Sequence, residues 1–215
     1  MAAAPSETKP KKRTATREAR RQQLIDATID SVAKHGLSGT TLSSVTKGAN
    51  LSHGVVNFHF ETKDALYDAT LDYLAKEHFE LWFKAMQNAG PKPEDQLAAI
   101  IAVDFHKDIC TPKKVAVWYA FWGQVKYRPN YIRIYAHYEE KRFEQISRLC
   151  GALIANGKYT HLNADRCARL IDAVVDGLWL NLLVYPKKSA NKERLEDCMS
   201  HLADMFPKHF STVNS

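Results

Sequence analysis

Apolar residues along this chain recur at intervals of three and four, and the runs break where turn residues cluster. Ile25, Thr28, Ile29 and Val32 share one helical face, with charged residues between them, and the run stops at His35-Gly36, where glycine suits the residue after a helix. In the next segment, Leu42 to Ala49, Leu42, Val45 and Ala49 line one face, and Thr40 and Thr41 offer capping hydroxyls. Asn50 tolerates a left-handed turn, and Ser52 stands where it can cap a second short helix running to about His59. A long helix is expected over 63–88, closed by Ala89-Gly90-Pro91-Lys92-Pro93. Helical periods then cover about 94–109, 112–126, 128–155, 163–185 and 189–209, punctuated by Thr111-Pro112, Arg128-Pro129, Asn156-Gly157 and Pro186. With no period-two run and no glycine-rich phosphate loop, the fold class is all-α.

The punctuation divides the chain into a flexible basic arm (1–16), a three-helix segment (17–63), a helical domain (64–209, with 64–88 as connecting helix) and a tail (210–215). Two short helices joined by a tight turn behind a longer one make a helix-turn-helix.

Charge sharpens that reading. Residues 1–63 hold ten Lys/Arg against five Asp/Glu, and the rest of the chain holds twenty against nineteen, so the basic excess lies almost entirely in the first third. A basic end joined to a balanced one fits a protein that neutralises phosphates with one domain only. At 215 residues the chain needs no disulfide or metal to fold. Cys110, Cys150, Cys167 and Cys198 form no CxxC pair, so we read reduced thiols, no metal and no cofactor. The basic N-terminus has no apolar run after it, and Ala173 to Tyr185 is short and broken by Asp176, so neither export nor a membrane span is expected and the location is cytoplasmic.

The second short helix carries small and hydrogen-bonding groups, Ser52, His53, Gly54, Asn57 and His59, suited to a major groove, while Val55, Val56, Phe58 and Phe60 are available to anchor it to a core. Lys63 opens the next helix, where a helix N-terminus attracts phosphate. The run TLSSVTKGANLSHGVVNFHFETKDAL, Thr41 to Leu66, resembles the DNA-binding segment of TetR-family repressors, whose pattern is T-x-x-x-I-A-x-x-A-G-V-S-x-G-x-x-Y-x-H/Y-F-x-x-K-x-x-L. Matches fall at Thr41, Val45, Ala49, Leu51, Ser52, Gly54, His59, Phe60, Lys63 and Leu66; Thr46, Asn50 and Asn57 depart from it. The resemblance implies phosphate contacts from Thr41, His59 and Lys63, and a groove-facing set of Ser52, His53, Gly54 and Asn57. It also implies a homodimer on a palindromic operator.

Beyond residue 117 two patterns carry chemistry. Trp118, Phe121 and Trp122 fall at i, i+3 and i+4 on one helix, and Tyr131, Tyr135 and Tyr138 share a face of the next. Asp172, Asp176 and Trp179, at i, i+4 and i+7, place two carboxylates and an indole on a stripe flanked by Ile171, Val174, Val175 and Leu178. Aromatic faces beside a carboxylate suit a quaternary ammonium, which cannot donate hydrogen bonds and is held by ring quadrupoles. Core packing of the rings, with Asp172 or Asp176 paired to Arg166 or Arg169, is the alternative.

The segments RRQQLIDATID, VWYAFWGQV and RLIDAVVDGLWLNLLV resemble the corresponding parts of BetI-type repressors, the choline-responsive branch of that family. What the branch implies is a repressor of glycine betaine synthesis or choline uptake genes that choline releases. Another amine or an aromatic ligand is the alternative inducer. Two further stripes, Cys167, Ile171, Val174, Leu178, Leu182 and Leu195, Cys198, Met199, Leu202, Met205, Phe206, suit the four-helix dimer interface such proteins use, or packing within one chain. A helical enzyme and a non-specific nucleic-acid binder are the rival classes; no HExxH, GxSxG or oriented Cys–His pair supports the first.

Overall fold

Many of the helices start where the sequence supplies a capping side chain or a proline. In the computed structural model, which describes residues 11–185 and 190–211, the helices are α1 (Lys11–Gly39), α2 (Leu42–Gly48), α3 (His53–His59), α4 (Lys63–Asn88), α5 (Pro93–Asp104), α6 (Pro112–Trp122), α7 (Pro129–Gly157), α8 (Ala164–Val184) and α9 (Asn191–Met205). Thr41, Thr111 and Asn163 accept N-terminal amides with their side chains, and α5, α6 and α7 each carry proline in the first turn, where its missing N–H is no loss. Among the described residues there is no strand, and no helix is long and apolar enough to cross a membrane.

Residues 1–10 of the expected arm, Pro186 and residues 212–215 of the tail lie outside the described residues. The backbone of 11–16, expected within the arm, is helical instead and extends α1, as a run of alanine, lysine, arginine and glutamate favours. Gly36 sits at φ 69°, ψ 173° inside α1, so the helical face does end there, and a further turn runs to Gly39. The helices α5 and α6 stop at Asp104 and Trp122, earlier than periodicity suggests. Phe105, Ile109 and Cys110 continue the buried pattern in a turn closed by amides bonding to His106 O. Periodicity reports which residues are inside, not which amides are helical.

The chain forms two compact units, one up to Thr70 and one from Leu71, with the boundary inside α4. The first unit packs Leu24, Ile25, Ile29, Val32, Val45, Val56, Phe60 and Leu66 inside. Its turn uses Asn50 at φ 52°, and Gln23 donates to Ala49 O at 2.8 Å, tying α1 to the end of α2. Thr46, one of the departures from the family pattern, is buried with its hydroxyl donating to Ser43 O at 3.0 Å, so the substitution leaves no polar group unpaired.

The second unit builds its core from α5–α9 and the remainder of α4, with Trp82, Leu97, Ile100, Val115, Phe121, Tyr131, Leu149 and Leu153 among its buried residues. Cys110, Cys150, Cys167 and Cys198 are free thiols, all buried in this unit.

Candidate ligand site and nucleic-acid interface

In the first unit, Ser52, His53, Gly54 and Asn57 are all exposed on α3, while Val56 and Phe60 are buried beneath them. Ser52 occupies the N-cap position of α3, but its hydroxyl makes no capping bond, contrary to expectation. Thr41 is exposed and serves as the N-cap of α2 in a reciprocal capping box with Ser44. Lys63 lies with its ammonium 5.1 Å from the Tyr67 ring centroid.

Phe58 does not anchor the helix. It is 68% exposed, with the Arg17 guanidinium 5.4 Å from its ring centroid, because α3 turns Val56, two residues away, into the core. Arg21 approaches Phe60 in the same manner at 5.2 Å. Partial burial, then the positive charges of Arg17 and Arg21, lower the pKa of His59. A neutral His59 still donates through one ring N–H, and two arginines stand beside it. Arg17 and Arg21 carry no motif of their own; their i, i+4 spacing on one face of α1 is the signal in the sequence.

In the second unit, one cavity of about 100 Å³ gathers most of the predicted ligand residues. Trp118 and Trp122 reach it from α6, Tyr135 from α7, and Asp172, Asp176 and Trp179 from α8. Trp122 lies 5.8 Å from both Trp118 and Tyr135 between ring centroids, and 6.5 Å from Trp179, whose ring is nearly parallel to it at 13°. Phe121 and Tyr131 do not line this cavity. They pack on each other at 5.1 Å, fully buried, because the helical turn that brings Trp118 and Trp122 to the cavity directs Phe121 into the core between α6 and α7. Tyr138 also leaves the cavity and donates to Asp72 at 3.0 Å.

The charged floor was not anticipated. Arg142 donates to Asp104 at 2.6 Å and also to Asp172, and His78 meets Asp104 at 2.7 Å. Burial works to raise the Asp104 pKa, but Arg142 and His78 outweigh it and hold the carboxyl below its usual range. Trp179 donates its indole N–H to Asp104 O at 2.8 Å, which fixes that ring. The partner of Asp172 is therefore Arg142, and not Arg166 or Arg169, which are exposed.

Two carboxylates remain. Among the described residues no hydrogen bond or ion pair reaches the carboxyl of Glu139 or of Asp176, and both line the cavity. Burial, reinforced by Asp172 and Asp104 and opposed by Arg142 and His78, raises the Glu139 pKa. For Asp176, burial and then Asp172 and Glu139 push the value up to about 7. The Asp176 residue as a whole is exposed, so water reaches it and screens those neighbours. An acidic, aromatic-walled cavity with two unmatched carboxylates can hold a cation.

Of the residues expected at a dimer face, Ile171, Leu182, Leu202 and Phe206 are 2, 7, 1 and 0% exposed within one chain, so they pack internally. Val174, Leu178, Leu195 and Met199 are half-buried. The outward face of α8 instead shows Leu170, Leu180 and Val184, 47, 43 and 54% exposed.

Residues 24–70 match the family described as bacterial regulatory proteins, tetR family, and residues 93–207 match the one described as BetI-type transcriptional repressor, C-terminal. A relative from Burkholderia thailandensis, the HTH-type transcriptional regulator BetI, is 35% identical over 164 residues, covering 76% of this chain and 82% of that protein. A chain described as a transcriptional regulator from Pseudomonas aeruginosa PAO1 superposes with TM-score 0.78 at 24% identity, over 89% of this chain and 93% of that one. A regulator from Saccharomonospora viridis, solved in complex with choline, gives TM-score 0.73 at 15% identity, over 87% and 96% of the two chains. At these identities the two structural likenesses bear on the fold alone.

Proposed function

The chain belongs to the TetR family of bacterial regulatory proteins, with the C-terminal domain of its BetI-type transcriptional repressors, and on that premise we propose that a quaternary ammonium, choline first among candidates, releases it from operator DNA. The observation that carries this reading is the cage of Trp118, Trp122, Tyr135 and Trp179 around Glu139 and Asp176, the two carboxylates without a partner. Each ring face contributes about 0.5–2 kcal/mol to holding a cation that cannot donate hydrogen bonds. Choline's hydroxyl adds one donor for a carboxylate. The genes under control are those of choline uptake or glycine betaine synthesis.

On the DNA side, Ser52, His53, Gly54 and Asn57 read the groove, and Thr41, His59 and Lys63, joined by Arg17 and Arg21, hold phosphates. Two copies pair through α8 and α9 to meet a palindromic operator whose half-sites lie about 34 Å apart. Ligand then favours a dimer whose reading heads no longer match that spacing, with α4 as the lever. Reciprocity requires operator DNA to weaken ligand binding by the same factor.

A second reading has its own support: unpaired carboxylates accept hydrogen bonds, which favours a protonated amine over a quaternary one. A titration on the protein's own upstream DNA at fixed salt, with choline, dimethylethanolamine or glycine betaine at millimolar concentration, separates them. Release by choline alone supports the quaternary reading, and stronger release by dimethylethanolamine supports the protonated amine. Specific binding indifferent to all three removes the cation from the mechanism.

A further inference from the structure

A second hollow of about 290 Å³ adjoins the cage, and the two share Trp122, Tyr135 and Asp176 among their lining residues. Val125, in the turn after α6, and Ile132, in the first turn of α7, complete the outer hollow. Asp176 is the single charged residue among those lining it. Ile132 is 53% exposed although it is a large aliphatic side chain.

We propose that this hollow is a second subsite, which takes the N-substituent of an extended quaternary ammonium whose charged head sits in the cage. The proposal rests on the cation reading of the cage and adds the ligand class: alkyl- or acyl-substituted trimethylammonium compounds bind more tightly than the smallest member. Size supports it. The cage alone, about 100 Å³, falls short of the roughly 300–1,000 Å³ usual for small-molecule sites, and cage and hollow together reach that range. Chemistry supports it as well. The inner site is charged and aromatic, as a cationic head requires, whereas the outer one is lined by Val125, Ile132 and two rings, as a hydrocarbon arm requires. Asp176 lines both hollows, so a positive centre beside it stands next to the outer one as well as within the cage.

Isothermal titration of the full chain with tetramethylammonium, choline, butyltrimethylammonium and hexyltrimethylammonium tests the assignment. Kd is expected to fall about threefold for each of the first methylenes beyond the head and then level off as the arm reaches solvent. In I132S the ratio of hexyl to tetramethyl affinity is expected to collapse toward one. If tetramethylammonium and choline bind but no longer homologue binds better, the second subsite is overturned and the cage stands. A chain-length gain that survives I132S puts the arm elsewhere and overturns the assignment equally. Failure of tetramethylammonium and choline to bind at all removes the cage reading, and the subsite with it.

Discussion

Arg142 donates from Nη2 to the carboxylate of Asp104 across 2.6 Å, a pair whose side chains are 4% and 1% exposed. The same guanidinium also serves Asp172, and His78 bonds to Asp104, so the one arginine on the cavity wall is already matched to two carboxylates before any ligand arrives. The consequence is a division between the carboxylates: Asp104 and Asp172 are held by Arg142, whereas no hydrogen bond or ion pair among the described residues reaches the carboxyls of Glu139 and Asp176, the pair to which the proposed function gives the cation.

That division predicts opposite phenotypes for two neutralising substitutions. Asp104→Asn leaves the buried guanidinium with Asp172 as its one charged partner and is expected to destabilise the protein by about 1.5–3 kcal/mol, the usual worth of a hydrogen bond to a charged group. Glu139→Gln removes a half-buried carboxylate that no ion pair holds among the described residues, so the ligand-free melting temperature is expected to hold or rise while affinity for choline drops at least about tenfold. Thermal denaturation and calorimetry on both variants check this. A Glu139→Gln variant that melts early and binds normally would assign Glu139 to the structural group.

Ligand affinity is expected to rise with pH. Only a deprotonated carboxylate attracts the cation, and for Asp176 burial, then Asp172 from α8, Glu139 from α7 and Asp104 from α5, push the pKa up to about 7 against the opposing charge of Arg142 from α7; at Glu139 Arg142 and His78 from α4 oppose the rise. Because the folded pKa of Asp176, about 7, lies above its ordinary 3.8, the ligand-free protein loses stability from this group as pH climbs through that interval, and a bound cation returns it. Asp104, held low, works in the opposite direction at the acid end, where its stabilisation is lost as pH falls through its depressed pKa. Choline should bind up to about tenfold more tightly at pH 8 than at pH 6, and less than that to the extent that water screens the rim. Asp176→Asn is expected to flatten the profile. A flat profile in the parent protein would show that neither carboxylate titrates with binding.

How much of this was legible in the sequence depended on what each residue's neighbours concealed. Trp118, Trp122, Asp172, Asp176 and Trp179 stood out because each shares a helical stripe with chemistry of its own kind. Phe121 and Tyr131 looked like members of the cage because spacing on one helix cannot tell which neighbouring helix a ring will meet; they met each other. Glu139 and Arg142 were hidden inside the run Glu139-Glu140-Lys141-Arg142, which reads as a solvated face, although Tyr135, Glu139 and Arg142 fall at i, i+4 and i+7 on the wall of the cavity. Asp104 ends an apolar helix where nothing nearby in sequence announces a partner 38 residues away.

On the DNA-facing side, Arg17→Ala and Arg21→Ala are each expected to weaken binding to all duplexes alike and to lower the slope of log K against log salt by about one, the signature of one lost phosphate contact. Asn57→Ala should instead shift base preference at one operator position with little change in that slope. Phe58→Ala should leave the melting temperature nearly unchanged, because the ring is 68% exposed, while lowering operator affinity. Fluorescence anisotropy at several salt concentrations, with operator and scrambled duplexes, distinguishes the three. A change in base preference from Arg17→Ala would move that arginine from the backbone to the groove.

The outward face of α8 provides the test of pairing. Leu170, Leu180 and Val184 are exposed on it, and a Cβ built at Gly177 meets nothing within 4 Å in the chain. A glycine inside a helix costs about 0.5–1 kcal/mol relative to alanine, and the proposed pairing through α8 would put this open position to use by letting a second backbone come close. Leu180→Asp is therefore expected to yield a folded monomer by sedimentation, with operator affinity lost because one reading head cannot span two half-sites. Leu182→Asp, two residues along but 7% exposed, should unfold the unit instead, since it places a charge in the core. A Leu180→Asp protein that still sediments as a dimer would return the interface to Val174, Leu178, Leu195 and Met199, whose side chains are half-buried on α8 and α9.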